Sequence, residues 1–124
     1  MAALSHGCRF RDPQRIRYSW EFASLKSSGE REFSRTMIMN WRPSTDRRFS
    51  RLGVVVSKRV GGAVVRARAR RVLREAFRQL QQQITVPTDI VLVARKMIAQ
   101  APQSDVTRDL TRLLGKAKVL ASPS

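Results

Sequence analysis

Arginines recur along residues 65–80 at a spacing that suits binding to a polyanion. The stretch holds one acidic residue, Glu75, and six arginines: Arg66, Arg68, Arg70, Arg71, Arg74 and Arg78. The planar guanidinium group binds phosphate oxygens in pairs and stacks on unpaired bases. A face that only keeps a helix in solution usually mixes both charge signs, because like charges three and four residues apart repel each other. The stretch therefore predicts contact with nucleic acid.

The same stretch has the periodicity of an amphipathic helix. At about 100° per residue, its apolar side chains fall within one arc of roughly 140°. The residues in this arc are Val65, Ala69, Val72, Leu73, Ala76, Phe77 and Leu80. Arg66 lies at the border of the arc and the other five arginines lie on the opposite side. We therefore expect the apolar arc to pack on a sheet and the arginines to face outward.

A short segment before this helix adds two more cations. Lys58 and Arg59 close an apolar strand, and Gly61 and Gly62 then break the chain. Free N–H groups and the helix dipole at such a turn suit an anion. An ordinary strand-to-helix turn has the same sequence features, so the glycine pair alone leaves both interpretations open.

Residues for catalysis by the protein itself are scarce. The chain has one histidine, His6, and one cysteine, Cys8, both in a polar and basic N-terminal segment. The sequence offers no Ser-His-Asp or Cys-His set, and these two residues cannot form an internal disulfide or a metal cluster with a known ligand spacing. We therefore expect no catalytic residue and no metal ligand in the protein.

The overall charge indicates the same class of partner as the arginines do. The 124 residues include 25 Lys and Arg against 9 Asp and Glu, which gives a net charge of +16. Such a charge opposes compaction until a polyanion neutralises it. A membrane surface is the competing partner, but no helix has a wide face of large apolar side chains free of core packing. Neither a signal peptide nor roughly 18 consecutive apolar residues are found, so we expect a cytoplasmic protein.

The elements that must position the arginines follow from the apolar pattern. Strands are predicted at 33–41, 52–56 and 90–94, the first two joined as a hairpin and the third fully buried. Helices are predicted at 19–29, at 63–83 and from Ser104 onward. With room for one extra short strand, this order predicts a single α+β domain with one sheet.

Residues 51–78, which read RLGVVVSKRVGGAVVRARARRVLREAFR, carry a longer motif. The run resembles the signature of bacterial ribonuclease P proteins, in which a strand ending in Val-Ser-Lys-Lys precedes Gly-x-Ala-Val, Arg-Asn-Arg-x-Lys-Arg and Arg-Glu-Ala-Phe. Two flanking features occur in the same order as in the family. They are a helix that contains Glu21-Phe22 and ends at Gly29, and a buried strand that ends in Ala94-Arg95-Lys96. The resemblance covers about residues 15–118.

The resemblance implies a particular fold. It is an α/β sandwich with one mixed four-stranded sheet, about three helices and a left-handed βαβ crossover, a rare handedness. The domain would extend over residues 18–118, between a basic arm at 1–17 and a frayed tail at 119–124.

The resemblance also implies a function. The protein would be the accessory subunit of ribonuclease P, bound to the catalytic RNA with one protein per RNA. That RNA cleaves precursor tRNA with Mg²⁺, which it holds mainly itself, and releases the 5′ leader.

Matching positions carry the implied RNA contacts. Besides the arginines of the helix, Ser57, Lys58 and Arg59 would contact RNA. A cleft for the single-stranded leader would be lined by Phe22, Lys26, Ile38 and Asn40.

Two positions depart from the family pattern. Ala67 stands where the family has an asparagine between paired arginines, so any contact of that amide is lost. Lys26 stands where a second aromatic is expected one turn after Phe22, which exchanges stacking on a base for contact with a phosphate. Leader binding by this chain would then depend more on charge than in its relatives.

Two other functions fit parts of the sequence. A ribosomal-type structural RNA-binding protein would have the same composition, and only the signature argues against it. A DNA-binding module would place the basic helix in a major groove, but the arginines cover more than half of the helix circumference, which suits enclosure by RNA.

Overall fold

The computed structural model describes residues 29–43 and 50–118. The strands are β1 (Glu30–Phe33), β2 (Met37–Pro43), β3 (Arg51–Val55) and β4 (Thr88–Ala94). The described α-helices are α1 (Ala63–Leu80) and α2 (Gln103–Lys116), and 3₁₀ helices cover Lys58–Val60, Gln81–Gln83 and Lys96–Gln100. The helix predicted at 19–29, the arm at 1–17 and the tail at 119–124 fall wholly or almost wholly outside the described residues.

The four strands form one mixed sheet in the order β1-β2-β4-β3. β4 pairs antiparallel with β2 and parallel with β3. Parallel neighbours need a long crossover connection, and α1 lies in the connection between β3 and β4. The predicted fold class, one α+β domain with a mixed four-stranded sheet, is confirmed.

The predicted hairpin between the strands at 33–41 and 52–56 is wrong. β4 lies between β2 and β3, so these two strands are not neighbours. The physical reason is the apolar run of β4: Ile90, Val91 and Leu92 are all buried, so this strand has two faces to cover. A central strand has the N–H and C=O groups of both its edges paired, whereas an edge strand leaves one row of these groups unpaired. β3 therefore takes the edge.

The strand predicted at 33–41 is divided by a tight turn at Ser34. The Ser34 N–H donates to the Met37 carbonyl over 2.8 Å. Its Oγ accepts hydrogen bonds from the N–H groups of Thr36 at 3.4 Å and Met37 at 3.3 Å. The turn pairs β1 antiparallel with β2, so β1 is the extra short strand, and Arg35 interrupts the apolar alternation because it lies in the turn.

One face of the sheet and the inner sides of both helices form the core. The sheet contributes Met37, Met39, Trp41, Leu52, Ile90 and Leu92. From α1, the predicted apolar arc is buried at Ala69, Val72, Leu73, Ala76, Phe77 and Leu80, and partly buried at Val65. α2 adds Val106, Leu110, Leu113 and Leu114. The predicted orientation of the basic helix is thereby confirmed, although α1 packs against α2 as well as the sheet.

The helix bounds differ slightly from those predicted. α1 ends at Leu80, and the predicted last turn is the 3₁₀ helix Gln81–Gln83. α2 begins at Gln103, with Asp105 in its first turn, where the helix dipole favours a carboxylate. Within the described ranges, no helix has the length and apolar composition that crossing a membrane requires.

Candidate nucleic-acid interface

The outward side of α1 is the centre of the candidate interface. Arg71 is exposed there, and Arg70 and Arg74 are half-buried. Because the opposite side of the helix is fixed in the core, the rotation of these arginines is fixed as well. Ala67 is exposed among them, so the position that departs from the family pattern lies on the candidate interface.

Arg78 is paired within the helix. Its Nε donates to Glu75 Oε1 over 2.7 Å and its Nη2 donates to Glu75 Oε2 over 2.5 Å. Gln79 Nε2 donates to the same Oε2 over 2.9 Å. The hydrogen bonds from Arg78 lower the pKa of Glu75 from 4.5 to about 2, against an opposing effect of partial burial. The carboxylate is therefore ionised at neutral pH and offsets the charge of Arg78.

The Arg68 side chain is hydrogen-bonded to the backbone of another segment of the protein. Its Nη1 donates to the carbonyl of Ile98 over 3.3 Å and its Nη2 to the carbonyl of Ala101 over 2.7 Å. Both acceptors belong to or directly follow the 3₁₀ helix Lys96–Gln100. Sequence periodicity placed Arg68 with the outward arginines and could not show these partners. In the fold, Arg68 therefore joins α1 to a distant segment, since Ile98 and Ala101 lie 30 and 33 residues further along the chain.

Arg66 lies at the other border of the apolar arc. Its side chain is half-buried, and its Nε is buried without a hydrogen-bond acceptor among the described residues. A buried donor without an acceptor costs about 1–3 kcal/mol. Arg66 therefore keeps a donor that the described part of the protein does not satisfy.

Lys58 and Arg59 lie in the 3₁₀ helix Lys58–Val60, not at the end of a strand, because β3 ends at Val55. Ser57 precedes this 3₁₀ helix without a side-chain capping bond, and all three residues are exposed. Parallel strands end at the same edge of a sheet, so these cations share an edge with the residues that follow β4. The structure thus brings Lys58 and Arg59 close to the start of α1.

Of the two glycines before α1, only Gly61 is conformationally required. Its φ is +155°, and a Cβ at this position would lie 2.8 Å from Val65 Cγ1, so a side chain would be strained. The Gly61 N–H donates to the Lys58 carbonyl over 3.2 Å. This amide is therefore not free for an anion, which favours the interpretation of an ordinary strand-to-helix turn at this residue.

The predicted leader cleft is described only in part. Ile38 and Asn40 lie on the sheet face opposite the core; Ile38 is half-buried and Asn40 is 5% exposed. Phe22 and Lys26 lie outside the described residues. On the same face, Arg51 and Asp89 form a buried two-point ion pair, with Nε to Oδ1 at 3.2 Å and Nη2 to Oδ2 at 3.3 Å. This pair joins β3 to β4 where the two residues are in register.

Sequence reasoning missed a second group of exposed residues. These exposed residues are Phe33, which ends β1, Arg95, which directly follows β4, and Met97 in the 3₁₀ helix Lys96–Gln100. The available signals were an apolar residue at a strand end and an Arg-Lys pair after a buried strand. Neither signal shows that the two segments meet, since this depends on the strand order.

No three His, Cys, Asp or Glu side chains converge in a way that could hold a metal ion in the described residues. Carboxylate and imidazole groups are the side chains that bind divalent cations in proteins.

Fold and site together define a class: small α+β proteins that present a sheet-backed basic helix to nucleic acid. Comparison with known proteins narrows the class. The family model for ribonuclease P matches residues 10–118, and the chain therefore belongs to the ribonuclease P protein family.

Curated relatives agree over most of the chain. The ribonuclease P protein component of Shouchella clausii is 36% identical over 108 residues, which cover 87% of this chain and 88% of the relative. That of Chloroflexus aurantiacus is 39% identical over 111 residues, which cover 89% of this chain and 82% of the relative. The match is thus not confined to the basic helix.

Solved structures agree as well. The RNase P protein of Staphylococcus aureus superposes with a TM-score of 0.79 at 27% identity, covering 86% of this chain and 97% of the other. The RNase P protein of Thermotoga maritima gives a TM-score of 0.74 at 27% identity, covering 82% of this chain and 96% of the other. The fold is therefore shared with this family over nearly the whole length of its solved members.

Proposed function

We propose that this member of the ribonuclease P protein family binds the catalytic RNA of the enzyme and the 5′ leader of precursor tRNA. One protein acts with one RNA and promotes removal of the leader, which forms the mature 5′ end. The observation that carries the proposal is α1, whose inner side is fixed in the core while Arg70, Arg71 and Arg74 lie on its outward side. The work would take place in the cytoplasm, where precursor tRNA is available.

The arginines would act by neutralising phosphates. Each guanidinium that contacts a phosphate releases a condensed counterion, which makes binding favourable at low salt. Lys58 and Arg59, near the start of α1, would extend this surface beyond the helix. Since the helix is rigidly supported, little conformational freedom is lost on binding.

The cleavage chemistry is assigned to the RNA, so the protein's part is binding and positioning. The single histidine, His6, lies far from α1 in the sequence, and acid-base catalysis by a protein most often uses histidine. Mg²⁺ held by the RNA would stabilise charge at the scissile phosphate. Protein cations reduce the repulsion between enzyme RNA and substrate, so less Mg²⁺ should be needed for binding.

Reconstitution with the cognate RNA tests the proposal. The purified protein alone should not cleave precursor tRNA, whereas protein and RNA together should cleave it at a low Mg²⁺ concentration at which the RNA alone is slow. Product formation with and without each component is the measurement. Cleavage by the protein alone, or no effect of the protein on the RNA, would contradict the proposal.

A ribosomal-type RNA-binding role is the alternative, and the family match argues against it. The same reconstitution separates the two roles. A ribosomal-type protein would bind the catalytic RNA with no preference over a ribosomal RNA fragment of equal length, and would not change the cleavage rate.

A further inference from the structure

A groove lies where β1 and β4 end, outside the residues to which the proposed function assigns a role. It has a volume of about 450 Å³, within the range of small-molecule sites. Its walls are the turn after β1, the segment that follows β4, and α2. The groove is large enough to hold part of one nucleotide.

The groove is strongly basic. Its cations are Arg35, Arg95, Lys96 and Arg112, and none of the described residues that line it is acidic. The nearest ion pair joins Arg112 Nη2 to Asp109 Oδ1 at 3.9 Å, which is too long for a hydrogen bond. Asp105 and Asp109 line a neighbouring cavity on the other side of Arg35. An anionic group is therefore the ligand that this groove favours.

Two large apolar side chains are exposed among these cations. Phe33 is 63% exposed and Met97 is 46% exposed. The Arg95 guanidinium carbon lies 6.0 Å from the centroid of the Phe33 ring, within the range of a cation–π contact. An aromatic ring beside guanidinium groups is the combination that binds an unpaired base and its phosphate.

Arg95 is held in this position before any ligand binds. Its Nη1 donates to the Ser34 carbonyl over 2.9 Å, and its backbone N–H donates to the Thr36 carbonyl over 2.9 Å. Both acceptors belong to the turn that follows Phe33. The ring and the guanidinium group are thus fixed relative to each other by the same turn.

The groove adjoins the predicted leader cleft. Phe33 pairs across the strands with Ile38, and directly paired residues lie on the same face of a sheet. Phe33 therefore shares a face with Ile38 and Asn40. On the other side, Arg68 ties the 3₁₀ helix Lys96–Gln100 to α1. An RNA strand that occupies the cleft would lie next to the groove.

We propose that Phe33 and Arg95 form a stacking site for one unpaired nucleotide of the precursor tRNA leader, an inference that rests on the proposed function. The base lies against the Phe33 ring and Met97, and its phosphate contacts Arg35, Lys96 or Arg112. A duplex would not expose a base face to the ring, and an acidic peptide would use the cations alone. Single-stranded RNA uses both.

An abasic scan of the leader tests the site in the reconstituted holoenzyme. Precursor tRNAs that lack one base at a time along the leader are bound to enzyme with the wild-type protein or Phe33→Ala, and Kd is measured. Phe33→Ala should weaken binding of the intact leader on the order of tenfold, the usual effect of losing one stacked base. At one leader position, removal of the base should weaken wild-type binding equally and leave Phe33→Ala binding unchanged.

Two further variants control for general effects. Phe33→Trp should keep most of the affinity because it preserves a stacking surface. Val86→Ala alters another exposed apolar residue, 41% exposed and outside the groove, and should bind as wild type does. Thermal unfolding of each free protein confirms that the variants are folded.

The outcomes separate the site from the proposed function. If Phe33→Ala shows no coupling to any leader base, or if it weakens the binding of tRNA without a leader as much as that of tRNA with one, the stacking site is wrong. The proposed function survives that outcome as long as the wild-type protein stimulates cleavage. If the wild-type protein does not stimulate cleavage, the proposed function itself fails.

Discussion

At the scale of single residues, Arg68 shows how the same side-chain type takes two roles on one helix. Arg71 is exposed, whereas Arg68 donates to two backbone carbonyls of a distant segment. Helical periodicity predicted which arginines point away from the core. It could not predict the partner of Arg68, because any residue type supplies a backbone carbonyl and only the fold brings Ile98 and Ala101 to this helix.

Arg68→Ala should therefore act mainly on the stability of the fold, and Arg71→Ala mainly on RNA binding. Arg68→Ala should lower the free energy of unfolding by about 1–3 kcal/mol, since two hydrogen bonds from a charged group are lost, although the Ile98 carbonyl still accepts from the Ala101 N–H. Arg71→Ala should change stability by less than about 0.5 kcal/mol but reduce the salt slope of RNA binding by about 0.7–0.9. Urea unfolding and Kd as a function of salt are the measurements.

Arg68→Lys is the matched variant for the two hydrogen bonds that Arg68 donates. A lysine keeps the charge but cannot donate to two carbonyls in a fixed fork, so part of the stability loss should remain. Equal stability of Arg68→Ala and wild type would show that the two hydrogen bonds do not support the fold.

At the scale of elements, α1 was the easiest to predict and the pairing of β3 the hardest. The sequence of α1 repeats its apolar residues every three or four positions, and both sides of the helix follow from that period. For β3, the apolar run at 52–56 indicated a strand but not its neighbour. The neighbour is β4, which comes after α1 in the chain, and no local pattern contains that information.

Glu75→Gln should increase the contribution of α1 to RNA binding. The change removes the negative charge beside Arg78, so the outward side of α1 attracts phosphates more strongly. The salt slope of RNA binding should then rise by about 0.7–0.9. Asp105→Asn is the matched control, because Asp105 pairs with Arg108 on α2 at 2.9 Å. An equal rise in both variants would indicate a general effect of net charge.

The same pair predicts a pH dependence of stability. Since the pKa of Glu75 is lowered in the folded protein from 4.5 to about 2, its contribution is complete above about pH 4.5 and is lost as the pH falls through about 2. The pair is partly exposed, so the contribution should stay below about 1 kcal/mol. Unfolding of wild type and Glu75→Gln between pH 7 and 2 should show a difference that shrinks below pH 4.5. A constant difference would contradict this.

At the scale of the whole molecule, the net charge of +16 acts on stability as well as on binding. Self-repulsion among the cations opposes the compact state, while the described core is apolar and continuous across the sheet and both helices. The charge balance was fully readable from composition. Which cations meet was not: Arg35, Arg95 and Arg112 come from three separate segments of the chain.

The free protein should therefore be stabilised by salt and more strongly by RNA. Raising the salt concentration from about 0.05 to 0.3 M screens surface charges and should raise Tm. Cognate RNA at about 100 times Kd should add about 2.7 kcal/mol to the free energy of unfolding. Thermal unfolding at several salt and RNA concentrations measures both effects, and a Tm that falls with salt would show that repulsion does not limit stability.

The central position of β4 also sets an order of events during synthesis. β1, β2, β3 and the whole of α1 leave the ribosome before Thr88, yet β3 has no partner strand until β4 arrives. The acceptors of Arg68, at Ile98 and Ala101, emerge later still. During synthesis, the basic helix is therefore complete before the sheet that supports it can close. Completion of the last third of the chain is therefore the step that fixes the basic helix in the fold and gives its arginines defined positions.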